Sequence, residues 1–250
     1  MAFLALLAGG PPPPDRAFWL GAMLGCQQLA ISVHNDWCDR DLDAATKPWR
    51  AIPSGAVGAP IARGVAWILA GASILLASPL GLDEAALNVA GLTAGFAYNA
   101  WLKRTLLSWL PFAAAFPLLP HFGAAALDRP MPLGWTLHLV GLPAVLAIHL
   151  ADTLPDVAGD TRAGISGLAH RLGARRTRQV SLLAASVAAL AATGGGLAQE
   201  SAIALAGGAS ALAGVALAVL RPAWHRATVT GAAAAAAIGW VGLVSGAGGP

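Results

Sequence analysis

The feature that most limits what this chain can fold into is a train of eight long apolar runs. They are Ala17–Val33, Ile61–Leu80, Ala85–Leu102, Trp109–Leu127, Gly134–Ala151, Val180–Ala198, Ala202–Leu220 and Ala227–Ala247. A bilayer core about 30 Å thick takes about 17–25 apolar residues to cross as a helix. Each run meets that length. Composition agrees, because 57% of the 250 residues are hydrophobic and only 11% are charged, under half the roughly 25% of soluble domains. Disordered chains combine low hydrophobicity with high charge, and the mean hydropathy here is +0.66. Soluble globular, disordered and nucleic-acid-binding classes are therefore excluded. Cys26 and Cys38 are two residues only, too few for a disulfide framework.

The fold expected is all-α: one polytopic transmembrane helical bundle over residues 1–250, with eight full spans. Met1–Gly10 is apolar but too short to span, and Gly9-Gly10-Pro11-Pro12-Pro13-Pro14 stops it. It lacks a basic leader and a cleavage site, so it is read as the tail of a truncated N-terminal helix. Many runs are rich in Ala and Gly, which lets membrane helices pack closely.

Charge sets the expected orientation. The stretches after the odd-numbered runs, with Arg63, hold thirteen of the fifteen basic residues; the other side has only Arg16 and Arg129. Basic residues collect on the cytoplasmic side. The basic excess thus follows from topology, and Arg171, Arg175, Arg176 and Arg178 are expected to meet lipid head groups.

The acidic residues are distributed unevenly. Asp15, Asp83, Glu84, Asp128 and Glu200 fall outside, while the seven on the cytoplasmic side are Asp36, Asp39, Asp41, Asp43, Asp152, Asp156 and Asp160. These seven form two groups, each directly after an apolar run. Asp36, Asp39 and Asp43 stand at i, i+3 and i+7; Asp152, Asp156 and Asp160 stand at i, i+4 and i+8. Either spacing puts three carboxylates on one helix face. Like charges so placed repel unless a cation binds, and carboxylate oxygens suit Mg²⁺, which fills its shell with water and substrate phosphate. Pro155 interrupts a continuous second helix, placing Asp152 at the membrane end and Asp156 in a new turn. Asp41 falls off the face of its neighbours and is expected to be solvated.

These residues also resemble a family. Asn35-Asp36-Trp37-Cys38-Asp39-Arg40-Asp41-Leu42-Asp43 fits the NDxxDxxxD motif of the UbiA superfamily of intramembrane prenyltransferases. Asp152-Thr153-Leu154-Pro155-Asp156-Val157-Ala158-Gly159-Asp160 fits its DxxxDxxxD motif. Arg50-Ala51-Ile52-Pro53-Ser54-Gly55 looks like its RPxPSG element, with Ala51 in place of proline. Tyr98-Asn99-Ala100-Trp101-Leu102-Lys103-Arg104 looks like its YxxxxKR element. The order is that of the family, whose usual form has nine transmembrane helices.

The resemblance implies transfer of a prenyl group from an allylic diphosphate to a lipophilic, often aromatic, acceptor. It implies Mg²⁺ on the six aspartates Asp36, Asp39, Asp43, Asp152, Asp156 and Asp160. Asn35, Arg50, Lys103 and Arg104 would bind the diphosphate, and Tyr98 would face the cation formed at C1, with Phe96 and Trp101 near it in sequence. Membrane lipids are the expected surroundings, in a bacterial cell membrane with the aspartate loops cytoplasmic. His34 is a candidate base, and His149 reads as a buried hydrogen-bonded histidine. A terpene cyclase on the same scaffold uses the same aspartates and stays open; a transporter is a distant alternative, because its charges belong near the bilayer midplane. The shortened first helix predicts an open cavity and so transfer to an acceptor.

Overall fold

The computed structural model describes residues 13–116, 121–122, 136–157 and 166–244. The expected helix tail at Met1–Gly10, most of the fourth run beyond Phe116, and Asp160 lie outside them. Among the described residues every regular element is helical. They are α1 (Pro14–Thr46), α2 (Ala59–Ala77), α3 (Leu82–Ala100), α4 (Leu110–Ala115), α5 (Thr136–Thr153), α6 (Leu168–Ala198), α7 (Ala202–Leu220) and α8 (His225–Val244), with 3-10 turns at Leu102–Arg104, Leu154–Asp156 and Pro222–Trp224. The molecule is a helical membrane bundle.

Local chemistry sets the helix ends. Pro14, Pro60 and Pro111 sit in the first turns of α1, α2 and α4, where a missing N–H costs nothing. α1 stops at Thr46 because Lys47 precedes Pro48 and takes φ −141°, ψ 60°, off the helical region that a following proline disfavours. Asp83 and Glu84 lie in the first turn of α3, where they favour the helix dipole. α6 bends sharply at Gly173, whose φ is +74°, a conformation that glycine adopts without a Cβ penalty. The bend leaves Leu168–Leu172 as a separate short turn ahead of the long apolar shaft.

The helices pack in two groups. α1, α2 and α3 pack on one another, and α5, α6, α7 and α8 form the second group, with α4 touching both α3 and α5. The second group has an alanine core, including Ala185, Ala188, Ala189, Ala192, Ala233 and Ala236. Such small side chains let helix backbones approach closely where lipid supplies no hydrophobic drive. The first group is joined by a polar ladder: Gln27 Nε2 donates to Asn88 Oδ1 at 2.7 Å, and Asn88 Nδ2 donates to Ser73 Oγ at 3.1 Å. Outside, Ile68, Leu75, Leu183, Leu190 and Leu220 are exposed, as a lipid-facing surface requires.

By length and composition alone, three of the described helices qualify as spans: α2, α6 and α7. Leu139–Thr153 in α5 is a shorter apolar stretch. α1 and α3 hold the first and third apolar runs, but Gln27, Gln28, Asn88 and Asn99 interrupt them. These amides join the helices to one another or face the interior described next.

Candidate active site

A cavity of about 970 Å³ lies between the two groups of helices, walled by α1, α3, α4, α5 and the short turn before the α6 bend. Because α1 runs without a break through Thr46, the i, i+3, i+7 spacing delivers what it promised. Asp36, Asp39 and Asp43 all line this cavity on one face of one helix. At 1.5 Å per residue they rise about 10 Å along the axis.

Two basic side chains approach this face from opposite sides. Arg50 folds back from the turn after α1, with Nη1 2.6 Å from Asp36 Oδ1 and 3.4 Å from Asp43 Oδ2. Lys103, on the 3-10 turn after α3, places Nζ 2.5 Å from Asp39 Oδ1 and 3.1 Å from Asn35 Oδ1. Lys47 completes the ionisable wall. Among the described residues, three carboxylates thus share this wall with three Lys and Arg side chains, whose formal charges balance.

Much of the remaining wall is aromatic or apolar. Tyr98 packs edge-on against Phe112 with ring centroids 4.8 Å apart, and Phe112 lies 5.0 Å from the His149 ring and 6.0 Å from Phe116. His149 is buried, and Ser108 Oγ lies 3.0 Å from its Nε2 while accepting the Leu168 N–H at 3.2 Å. These bonds tie α5, the turn before α4 and the start of α6 together. Leu24, Ile31 and Phe122 close the far part of the cavity.

The other expected site residues are distributed as follows. Asp152 sits in the last turn of α5, does not line the cavity, and is paired with Arg226 Nε at 2.8 Å. The backbone of Asp156 forms the end of a 3-10 turn begun by Leu154-Pro155, so proline does break the helix between the first two carboxylates. Asp160 lies outside the described residues. Arg104 is exposed and does not line the cavity; its backbone carbonyl accepts from Ser166 Oγ at 3.0 Å. Asp41 is 86% exposed beside Arg40, as its register predicts. Phe96 stacks on His34 with centroids 4.0 Å apart instead of joining Tyr98, and Trp101 is exposed. His34 is buried and hydrogen-bond distant by 3.3 Å from Asn99 Nδ2; neither it nor Phe96 lines the cavity. Trp37 carries Arg40 and Arg63 over its ring at 5.3 and 5.4 Å, the environment of an interfacial tryptophan. Burial is the main influence on the Cys38 thiol and pushes its pKa up, so it is held as a neutral thiol.

Sequence reasoning missed Phe112, Phe116, Ser108 and Gln28 as cavity residues. For Gln28 a signal existed: it lies eight residues before Asp36, on the same helical stripe.

Among the described residues no three carboxylate, imidazole or thiol groups stand close enough to hold one ion. The donor set on α1 nevertheless suits a hard cation: three carboxylates and the Asn35 amide oxygen open on one cavity.

Comparison with known proteins adds four findings. The model of the UbiA prenyltransferase family matches residues 1–243. The digeranylgeranylglyceryl phosphate synthase of Halobacterium salinarum is 32% identical over 189 residues, 71% of this chain and 64% of that protein. The 4-hydroxybenzoate octaprenyltransferase of Citrobacter koseri is 29% identical over 177 residues, 70% of this chain and 59% of that protein. The chain thus spans between about half and two thirds of the length of the curated relatives it matches. In fold it is similar to a UbiA homologue from Aeropyrum pernix K1, with a TM-score of 0.74 at 20% identity, covering 94% of this chain and 91% of that one.

Proposed function

The chain belongs to the UbiA prenyltransferase family, and from that premise we propose that it transfers a prenyl group from an allylic prenyl diphosphate to a lipophilic, aromatic acceptor in a Mg²⁺-dependent reaction that releases diphosphate. One observation carries this reading. A single cavity joins a wall of Asp36, Asp39, Asp43, Lys47, Arg50 and Lys103 to a wall of Leu24, Ile31, Phe112, Phe116 and Phe122. The first matches a charged head and the second a hydrocarbon tail. The relatives' names, digeranylgeranylglyceryl phosphate synthase and 4-hydroxybenzoate octaprenyltransferase, support an activity of this class.

Charge balance supports the metal. Among the described residues the Asp, Lys and Arg charges of the wall balance, so a diphosphate entering it brings negative charge that a cation would offset. Asp36, Asp39 and Asp43 would supply carboxylates to Mg²⁺, one or two to an ion, with water and diphosphate oxygens filling the shell and Asp152, Asp156 and Asp160 as the second set. Bound Mg²⁺ would supply Lewis-acid neutralisation of the leaving group. Arg50 and Lys103 would bind the phosphate oxygens, Arg with a planar fork and Lys as a point charge. As the C1–O bond breaks and the bond from C1 to the acceptor forms, positive charge at C1 meets the ring faces of Tyr98 and Phe112. The thirteen basic residues on that side of the chain support an orientation in which the site would face the cytoplasm, in our reading that of a bacterial cell.

The test is to incubate the purified protein with Mg²⁺, prenyl diphosphates of several lengths and phenolic or glyceryl phosphate acceptors, and to weigh the products. A product of acceptor plus prenyl mass, lost on chelation by EDTA and restored by Mg²⁺, is expected. Undiminished turnover in EDTA would remove the metal, and no diphosphate release from any donor would remove the enzyme.

A further inference from the structure

We infer that Gln28 and Ser32 form a polar clamp that recognises a hydroxyl group on the acceptor; this deepens the transferase reading above and rests on it. Both side chains line the cavity. They stand eight and four residues before Asp36 on the same stripe of α1, about 12 and 6 Å along the helix from the carboxylates.

Both residues are exposed, and neither has a full set of partners among the described residues. Several helical hydroxyls elsewhere bond back to their own helix, Thr46 to the Leu42 carbonyl, Thr93 to that of Val89 and Thr153 to that of His149, at 2.7–2.9 Å, although Thr230 Oγ1 does not. Ser32 Oγ makes no such bond and has no other partner among the described residues. Gln28 has one long contact, from its Nε2 to Gln27 Oε1 at 3.4 Å. Its own carbonyl oxygen and second N–H are left over. Its neighbour Gln27, by contrast, is buried and tied to Asn88. Polar side chains within a membrane span are costly unless something binds them, and they mark ligand paths.

The donor cannot be that ligand. Beyond its diphosphate a prenyl chain is hydrocarbon, with no atom to bond an amide or a hydroxyl. The acceptor can. Its nucleophilic atom must approach C1 beside the diphosphate, so a hydroxyl elsewhere on it falls between the carboxylates and the apolar end. Gln28 and Ser32 occupy that interval. Each offers both a donor and an acceptor, which suits a hydroxyl that does both.

The experiment titrates two probe pairs into the purified full chain saturated with Mg²⁺ and geranylgeranyl thiolodiphosphate, a slow donor analogue. The pairs are 4-hydroxybenzoate against benzoate, and hydroquinone against its dimethyl ether. In the wild type the hydroxylated member of at least one pair should bind about tenfold more tightly, the worth of one or two hydrogen bonds. Gln28→Leu and Ser32→Ala should each weaken that preference, and the double variant should abolish it while binding the thiolodiphosphate unchanged. A preference that survives in the double variant, or none in the wild type with either pair, would overturn the clamp. Failure of the wild type to bind the thiolodiphosphate would instead overturn the donor reading, and the clamp with it.

Discussion

Lys103 Nζ lies 2.5 Å from Asp39 Oδ1 although the two residues come from different helices and are only 10% and 16% exposed. A buried pair of this kind costs desolvation on both sides, and removing one partner strands the other. On the Mg²⁺-dependent reading proposed above, the lysine would hold the carboxylate until a cation takes its place.

Its consequence is a separation of stability from activity. Lys103→Met and Asp39→Asn alone should each lower the melting temperature in detergent. The double variant should regain stability, since neither charge is left unpaired. Prenyl transfer should stay down on the order of a hundredfold in all three, the usual loss when electrostatic stabilisation of a leaving group is removed. Initial rates and melting curves on the same preparations decide it. A double variant with wild-type turnover would show the pair to be structural only.

Asp36 and Asp41 supply a matched contrast on one helix. Asp36 lines the cavity and meets Arg50, whereas Asp41 points outward beside Arg40. Asp36→Asn should reduce activity on the order of a hundredfold with the fold intact. Asp41→Asn should leave it within about twofold, since an exposed ion pair contributes little. Equal losses in the two variants would break the link between cavity lining and catalysis.

The close packing of α7 and α8 is a further test of the fold. A Cβ on Gly207 would stand 2.6 Å from the Ala235 carbonyl oxygen and 2.7 Å from Gly239 Cα. Both are backbone atoms and cannot swing aside. Gly207→Ala should destabilise the bundle by about 1–3 kcal/mol, the ordinary cost of overpacking. Gly64→Ala, with nothing within 4 Å of the new carbon, should not. Retained stability in Gly207→Ala would mean that the two helices sit further apart.

The first carboxylate trio was legible because one local rule governs it: α1 is unbroken, so sequence spacing becomes spatial alignment. The second trio obeys no such rule. Pro155 divides it, Asp152 turns to Arg226, and spacing alone says nothing of a partner 74 residues away. Lys103 and Arg50 were found through motif likeness, yet their pairing with particular aspartates depends on how the α1 and α3 ends meet. The aromatic wall shows the same limit. Phe96 is nearer to Tyr98 in sequence, but helical phase sends it to His34, and Tyr98 finds Phe112 from α4 instead. Span counting by apolar length also blurred one thing. The glutamines and asparagines that interrupt α1 and α3 are part of the interior, and a hydropathy window reads them only as weaker spans.

The remaining choice, between transfer to an acceptor and cyclisation of the donor, rests on what meets the cation. A cyclase has to fold the tail back on C1 and exclude other nucleophiles with a closely fitting apolar wall. Here the wall beside the carboxylates carries the Gln28 amide and the Ser32 hydroxyl, and the charged end holds Lys47 and Arg50, both exposed. A cation formed there is not sealed from polar groups. The donor alone should therefore give at most slow hydrolysis to the prenyl alcohol, and a lipophilic acceptor should raise diphosphate release at least tenfold, about 1.4 kcal/mol in barrier. Phosphate assays with and without acceptor, paired with mass spectrometry of the lipid phase, separate the cases. Fast formation of a cyclic hydrocarbon or cyclic alcohol from donor and Mg²⁺ alone would assign the cavity to cyclisation, and would leave the roles of Asp36, Asp39 and Asp43 unchanged.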